Sequence, residues 1–181
     1  HITMLNSYHN INKYNNTFLL DSVSKTIPVG YYSGTSLAAK LSSIVSDMTI
    51  TYDYTTFKFT FTKITNNHIF IFSESLAKVL GTTETLHITS SYTGDIAQLQ
   101  GTAYYIIEMN GLNRIVRGSN MHNVMIVPNN QLIGEVIYFE PKDVYFNTTN
   151  TTFNFIDVKI YDDENNLIES KIEWIIEMKA I

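Results

Sequence analysis

The sequence contains no cysteine, few prolines and one tryptophan: its 181 residues include 3 Pro and 1 Trp. Without cysteine the chain forms no disulfide, offers no thiol nucleophile and holds no Cys-ligated zinc. Small secreted domains usually carry disulfides, so we expect assembly in a reducing compartment. We also expect no membrane span, because no apolar run approaches the roughly 20 residues that a spanning helix needs. The chain opens on His1 and not on Met, so we expect a processed or recombinant piece.

Positive charge is also scarce. Lys and Arg total 12 against 17 Asp and Glu, a formal net charge of −5. Because phosphate binding needs clustered Lys and Arg, we expect no specific nucleic-acid partner. Aromatic residues, in contrast, make up 13% of the chain. Together with many Ile, Val and Thr, they are typical of pleated, half-buried strands.

No residue pattern predicts a metal site or an active site. The histidines are His1, His9, His68, His87 and His122. No two of them lie two or four residues apart, so no metal-ligand spacing is present. Ser33 stands in "GYYSGTS", which does not fit the Gly-x-Ser-x-Gly nucleophile elbow, and we interpret it as a helix-start residue. We predict no catalytic, cofactor-binding or metal-binding residue, and therefore no enzyme.

The acidic run Asp162, Asp163 and Glu164 lacks the alternating oxygen ligands and the glycine of a calcium-binding loop. We predict a solvated hairpin tip there. Arg114 and Arg117 are the only arginines, and they indicate either a subunit interface or two solvent-facing charges on a loop. Trp174 is expected in the core of a sandwich or at the rim of a subunit contact.

The hydrophobic pattern divides the chain into three parts. We interpret residues 1–14 as an arm, a frayed strand or a remnant, residues 15–100 as a strand-helix-hairpin portion, and residues 101–181 as a strand-rich portion. The last two form either one compact β unit or two closely packed subdomains. A helix is predicted from about Ser33–Ser36 to Asp47. Its apolar face, at positions i, i+4, i+7 and i+8, consists of Leu37, Leu41, Ile44 and Val45.

Most of the remaining chain alternates with a period of two. "MTITYD" and "FKFTFTKI" flank a turn at residues 53–56, with Phe57, Phe59 and Phe61 predicted on one side. "HIFIFS" is a further strand, and "ESLAKVLG" is a helical turn closed by Gly81. Five more strand-like segments are "AYYIIEM", "NVMIVP", "LIGEVIYFE", "TFNFIDVKIYD" and "NLIESKIEWIIEM". Short strands at such spacing predict a sandwich or a barrel.

Several of these motifs follow one another in an uncommon order. The strand "TFLLD", the entry "IPVGYY", the hairpin "TITYDYTTFKFTF" and the close "SESLAKVLG" are joined later by "EVIYFEPKDVYFNTTNTTFNFIDVKIYDDENNLI". In this order they resemble the penton, or minor capsid, proteins of mavirus-like virophages and of the related polinton-type viral elements. The middle segment, "AYYIIEMNGLNRIVRGSNMHNVMIVP", lacks the tyrosine-rich strand of polinton members, so the resemblance is to the virophage branch.

The resemblance implies a mainly β fold: a jelly-roll-type antiparallel β-sandwich with a small α+β strand-helix-hairpin portion near the N-terminus. It also implies a homopentamer that closes icosahedral vertices beside a double jelly-roll major capsid protein, with no catalysis and no cofactor. The expected partners are other copies of the chain and the major capsid protein. The expected location is the virion, assembled in the cytoplasm of the infected cell.

Two rival functions stay open at this point. One is a viral adhesin or a carbohydrate-binding sandwich, in which exposed tyrosines would stack on sugars. The candidate tyrosines are Tyr31, Tyr32, Tyr52 and Tyr54. The other is an enzyme built on a β-sandwich, for which the sequence offers no paired acid, metal or nucleophile pattern.

Overall fold

The computed structural model divides into two compact units. The helical unit is His9–Gly101, and the strand unit joins His1–Tyr8 to Thr102–Ile181. The structure describes residues 1–6, 8–110, 113–116, 119–121, 124–132, 134–141, 145–147, 157–168 and 174–177. The three-part division drawn from the sequence stays a prediction about domains.

The described secondary structure is mostly β-strand with two helices. In chain order the elements are β1 (Ile2–Leu5), β2 (Thr17–Leu20), β3 (Val23–Thr26), α1 (Gly34–Ile44), β4 (Met48–Asp53), β5 (Lys58–Lys63), β6 (His68–Phe72), α2 (Glu74–Leu80), β7 (Thr85–Ile88), β8 (Ser91–Ile96), β9 (Tyr104–Asn110), β10 (Asn113–Val116), β11 (Ser119–Met121), β12 (Val124–Pro128), β13 (Val136–Phe139), β14 (Tyr145–Asn147), β15 (Asp157–Tyr161) and β16 (Trp174–Ile176). Each described strand pair is antiparallel. The expected class, an antiparallel β-sandwich with a small α+β portion, is confirmed.

The helical unit has two sheets, ordered β3-β2-β6-β7 and β4-β5-β8. On β2, β4, β5, β6 and β7 alternate side chains point inward, as Phe59 and Phe61 do on β5, because successive residues of a strand face opposite sides. These inward residues and the apolar sides of α1 and α2 form one buried core. Phe18, Phe70 and Phe72 stack near its centre, with ring centroids 5.4–5.9 Å apart.

Helix α1 packs against β4 through its apolar face. Leu37 and Leu41 are fully buried, and Ile44 is partly buried against the same core. Val45 is also buried, although it follows the helix as the C-cap residue. Ser42 fixes the helix to the strand, because its hydroxyl accepts from the amide of Ile50 at 2.9 Å and donates to the carbonyl of Ile50 at 3.1 Å.

The strand unit has three described sheets, ordered β13-β1-β16, β12-β9-β15 and β11-β10-β14. We call the first two the β1 sheet and the β9 sheet. Ile2 and Met4 of β1 share one buried cluster with Tyr105 and Ile107 of β9. The two sheets therefore face each other across a common core, which is the arrangement of a β-sandwich.

The structure refines one expectation for the N-terminal half and corrects another. Within residues 1–14, expected to be an arm, a frayed strand or a remnant, Ile2–Leu5 is the central strand of the β1 sheet. The position predicted for Phe57 is wrong, since this residue is 54% exposed and its φ of 59° lies in the left-handed region. The Asp53 carboxylate accepts from the Thr55 amide and the Thr56 hydroxyl, which extends the turn so that β5 begins only at Lys58.

Candidate functional site

The segment "IPVGYYSG" contains no reactive group. The Ser33 hydroxyl accepts from the Ser36 amide at 3.2 Å and donates to the Ser36 hydroxyl, so Ser33 is the N-cap of α1. Gly34 lies so close to Tyr52 that a Cβ at this position would overlap the aromatic ring. Gly30 forms an isolated antiparallel bridge with Ile11. Each unusual residue of the segment thus has a packing or capping role.

The acidic hairpin forms a polar cluster in the described part of the strand unit. Asp162 is 1% exposed, so the predicted solvated tip is wrong at this residue. Its carboxylate accepts from the Tyr8 hydroxyl at 2.7 Å, the amides of Glu164 and Asn166 at 3.0 and 2.7 Å, and the Asn166 side chain at 3.0 Å. Burial, and then the hydrogen bond to Asp162, raise the pKa of Tyr8. The hairpin is held closed by its own carboxylate.

The neighbouring carboxylate, Asp163, fastens the hairpin to the start of β9. It accepts from the Ala103 amide at 2.8 Å, and its own amide donates to the Thr102 hydroxyl at 3.0 Å. The Thr102 hydroxyl in turn donates to the Tyr104 carbonyl at 2.7 Å. These hydrogen bonds give both carboxylates a role within the fold of the strand unit.

A second polar cluster joins three loops of the helical unit around His68. Its Nδ1 lies 2.7 Å from Asp21 Oδ2, and its Nε2 lies 3.3 Å from Asp47 Oδ2. Asp21 belongs to the β2–β3 turn, where its φ of 49° lies in the left-handed region. Its pKa is lowered, chiefly by the hydrogen bond to His68 and then by that from the Ile69 amide.

Asp47 receives further donors from the β5–β6 turn. The Thr65 hydroxyl donates to one carboxylate oxygen, and the Asn66 amide and side chain donate to the other at 3.1 and 2.7 Å. The Thr65 hydrogen bond is the largest cause that lowers the pKa of Asp47, to about 2. The two ring nitrogens of His68 thus contact two ionised carboxylates, and the three side chains tie the loops of the helical unit together.

The interface residues predicted from sequence are only partly described. Arg114 lies on β10, where it pairs with Met121 and Phe146, and Arg117 lies outside the described residues. Trp174 lies on β16 opposite Met4 of β1. Their assignment to a subunit interface stays a prediction.

The four candidate sugar-stacking tyrosines do not share one environment. Tyr31 and Tyr54 are 49% and 78% exposed. Tyr32 donates from its hydroxyl to the Pro28 carbonyl, and Tyr52 packs on Phe59 with ring centroids 4.9 Å apart. Both are partly buried against the core of the helical unit, so only two of the four present a free ring face.

Across the described ranges, no group of three or more acidic or histidine side chains is arranged to hold a metal ion. In the same part of the chain, no helix is long and apolar enough to cross a bilayer. The hydrogen bonds of the two polar clusters join segments within their own units.

Comparison with known proteins gives a structural likeness and no sequence match. No protein-family model and no curated protein matches the chain. Among solved structures, the crystal structure of selenomethionine-labelled mavirus penton protein matches with a TM-score of 0.52 and 12% sequence identity. The match covers 92% of this chain and 79% of that chain. The chain is therefore similar in fold to that protein, which agrees with the expected jelly-roll type.

Proposed function

We propose that the chain is a structural subunit of a viral capsid: a penton, or minor capsid, protein that closes the icosahedral vertices as a homopentamer. Its neighbours would be other copies of itself and a double jelly-roll major capsid protein. Its place would be the virion, after assembly in the cytoplasm of the infected cell. The observation that carries the proposal is the likeness to the mavirus penton protein along 92% of the chain.

The internal chemistry supports the same proposal. The buried Asp162 carboxylate and the partly exposed Asp163 carboxylate accept from amides and a hydroxyl of their own unit. The His68 imidazole is held between Asp21 and Asp47. Polar groups used in this way strengthen a fold without acting on a substrate, as expected of a shell protein.

Co-assembly tests the proposal. The chain is expressed with the double jelly-roll major capsid protein of the same virus, and the particles are imaged by cryo-electron microscopy. We expect closed particles with this chain at each five-fold vertex, and open vertices when it is omitted. Particles that close their vertices without the chain, or that contain it elsewhere, contradict the proposal.

A carbohydrate-binding module is the second candidate, favoured by the exposed hairpin tip. Tyr54 and Phe57 at that tip are 78% and 54% exposed, and aromatic faces of this kind stack on sugar rings. A glycan array separates the candidates. Selective binding that is lost in Tyr54→Ala supports the module, whereas a purely structural subunit shows no selective binding.

A further inference from the structure

The outer face of the β1 sheet exposes large apolar side chains. Since Ile2, Met4 and Ile137 point into the core, the alternate residues of these strands point outward. The exposed members are Leu5 at 37%, Val136 at 54%, Tyr138 at 59% and Ile175 at 60%. We call these four residues the β1 face.

Strand register makes the β1 face continuous. Thr3 of the central strand pairs with Tyr138 on one side and with Ile175 on the other. Leu5 pairs with Val136 in the adjacent row. The four side chains together expose on the order of 400 Å², which is as large as the main apolar patch of a typical monomer. Such a patch is often a functional surface.

A second apolar surface lies on the outer face of the β9 sheet. Ile126 is 55% exposed and pairs with Ile106, which is partly exposed beside it. Pro128 and Tyr104 form the next pair in the same direction. We call these four residues the β9 face. Strand β15 borders them with polar groups, including the Lys159–Asp157 ion pair at 3.8 Å.

The two faces lie on opposite sides of one sandwich. The inner residues of both sheets, such as Met4 and Tyr105, share a single buried cluster, so the outer residues point away from each other. A two-fold dimer needs only one self-complementary patch. A closed ring needs two different patches, because each subunit meets one neighbour with its first surface and the other neighbour with its second.

We propose that the β1 face of one copy binds the β9 face of the next copy, head to tail, and that this contact closes the ring. The inference rests on the proposed function, since it names the surfaces by which the copies would meet. Flat apolar sheet faces are mutually complementary, and the polar strip of β15 supplies the rim expected around an apolar interface centre. The β1 face contributes about half of the ~800 Å² per partner of a standard interface.

Charge insertion on one face at a time tests the contact. Ile175→Glu disables the β1 face, and Ile126→Glu disables the β9 face. Both side chains are more than half exposed, so we expect unchanged circular dichroism and melting. The matched control is Ile96→Glu, because Ile96 is 63% exposed but belongs to the helical unit. Masses are measured by native mass spectrometry and sedimentation over a concentration series.

Each face variant alone should lose the ring, with a dissociation constant raised at least about tenfold, and the control should retain it. The mixture of the two variants is decisive. The intact β9 face of Ile175→Glu should bind the intact β1 face of Ile126→Glu, which gives a one-to-one heterodimer that cannot grow. A self-complementary interface would instead leave one of the two variants dimeric by itself.

The outcomes separate this contact from the proposed function. Rings of five copies that survive both face variants overturn the contact and leave the capsid proposal standing. A heterodimer from the mixed variants, beside a wild-type ring of another size, supports the contact and contradicts the pentamer. Absence of the heterodimer, or loss of assembly in Ile96→Glu as well, overturns the head-to-tail contact.

Discussion

Asp162 is a buried carboxylate whose surroundings supply its hydrogen-bond donors. Four hydrogen bonds reach it, one of them from Tyr8 near the other end of the chain. The carboxylate closes its own hairpin and holds that hairpin to the segment before the helical unit. Losing it would remove the acceptor that the Asp162 carboxylate offers to the Tyr8 hydroxyl and to the amides of Glu164 and Asn166.

We expect Asp162→Ala to lower the free energy of unfolding by about 3 kcal/mol, because buried donors lose their acceptor. Tyr8→Phe removes one donor only and should cost about 1 kcal/mol. Urea unfolding followed by circular dichroism measures both values. Glu164→Gln is the control, since Glu164 is exposed in the same hairpin and should change stability by less than about 0.5 kcal/mol. Equal effects for Asp162→Ala and Glu164→Gln would contradict the structural role of Asp162.

The lowered pKa of Asp47 predicts that the stability of the protein depends on pH under acidic conditions. Its pKa in the folded chain is about 2, below the ordinary 3.8, so the folded state binds the proton more weakly than the unfolded state. The stability that it contributes is complete above about pH 4 and is lost as the pH falls towards 2. Asp47→Asn should therefore be less stable than the parent at pH 6 and nearly equal to it at pH 2.

Urea midpoints measured from pH 2 to pH 6 for both proteins check this expectation. Asp95→Asn, a carboxylate on β8, is the control that separates the local effect from a general change in net charge. A difference between parent and Asp47→Asn that stays constant across the range would show that the Thr65 and Asn66 hydrogen bonds do not favour the ionised form.

At the scale of elements, the contact between α1 and β4 depends on a glycine. Gly34 is the first residue of the helix, and a Cβ there would overlap the ring of Tyr52 on β4. The ring in turn packs on Phe59 and has little room to move. This close approach explains why glycine, a poor helix former, is the first residue of α1.

Gly34→Ala should therefore destabilise the protein by about 1–3 kcal/mol, although alanine is the better helix former. In a Tyr52→Ala background the same change should be neutral or stabilising by up to about 1 kcal/mol, since the obstructing ring is gone. The four free energies of this double-mutant cycle are measured by urea unfolding. A cost that is the same in both backgrounds would contradict the steric explanation.

The elements with regular hydrophobic patterns were predictable, whereas strand pairing between distant parts of the chain was not. Helix α1 follows from the spacing of Leu37 and Leu41, and its Ser33 cap from residue type. The central position of β1 was not predictable, because its four residues stand among polar neighbours and its partners β13 and β16 come more than 130 residues later. Strand β8 contains Gly94 and Asp95, which weaken its strand signal.

The burial of Asp162 was also not predictable from the local sequence. A run of acidic residues and asparagines is typical of an exposed turn, so the pattern predicts a solvated Asp162. Its burial depends on Tyr8, 154 residues away in the chain. The local part of the cluster was readable, because Asp side chains often bind amides two residues onward, as Asp162 does with Glu164.

At the scale of the whole molecule, the fold is similar to that of a penton protein, and each outer face of the sandwich carries an exposed apolar patch. A β-sandwich in isolation normally keeps its outer faces polar, because each strand alternates between core and solvent. Outward-facing Tyr138, Ile175 and Ile126 break that alternation. The proposed contact between copies would cover these side chains.

The most direct test of the central claim is the mass of the purified chain in solution, measured by native mass spectrometry and confirmed by class averages from electron microscopy. The account predicts a closed ring of five copies with five-fold symmetry. A stable trimer, which would favour a fibre or an adhesin, or a monomer that persists at millimolar concentration, would contradict it.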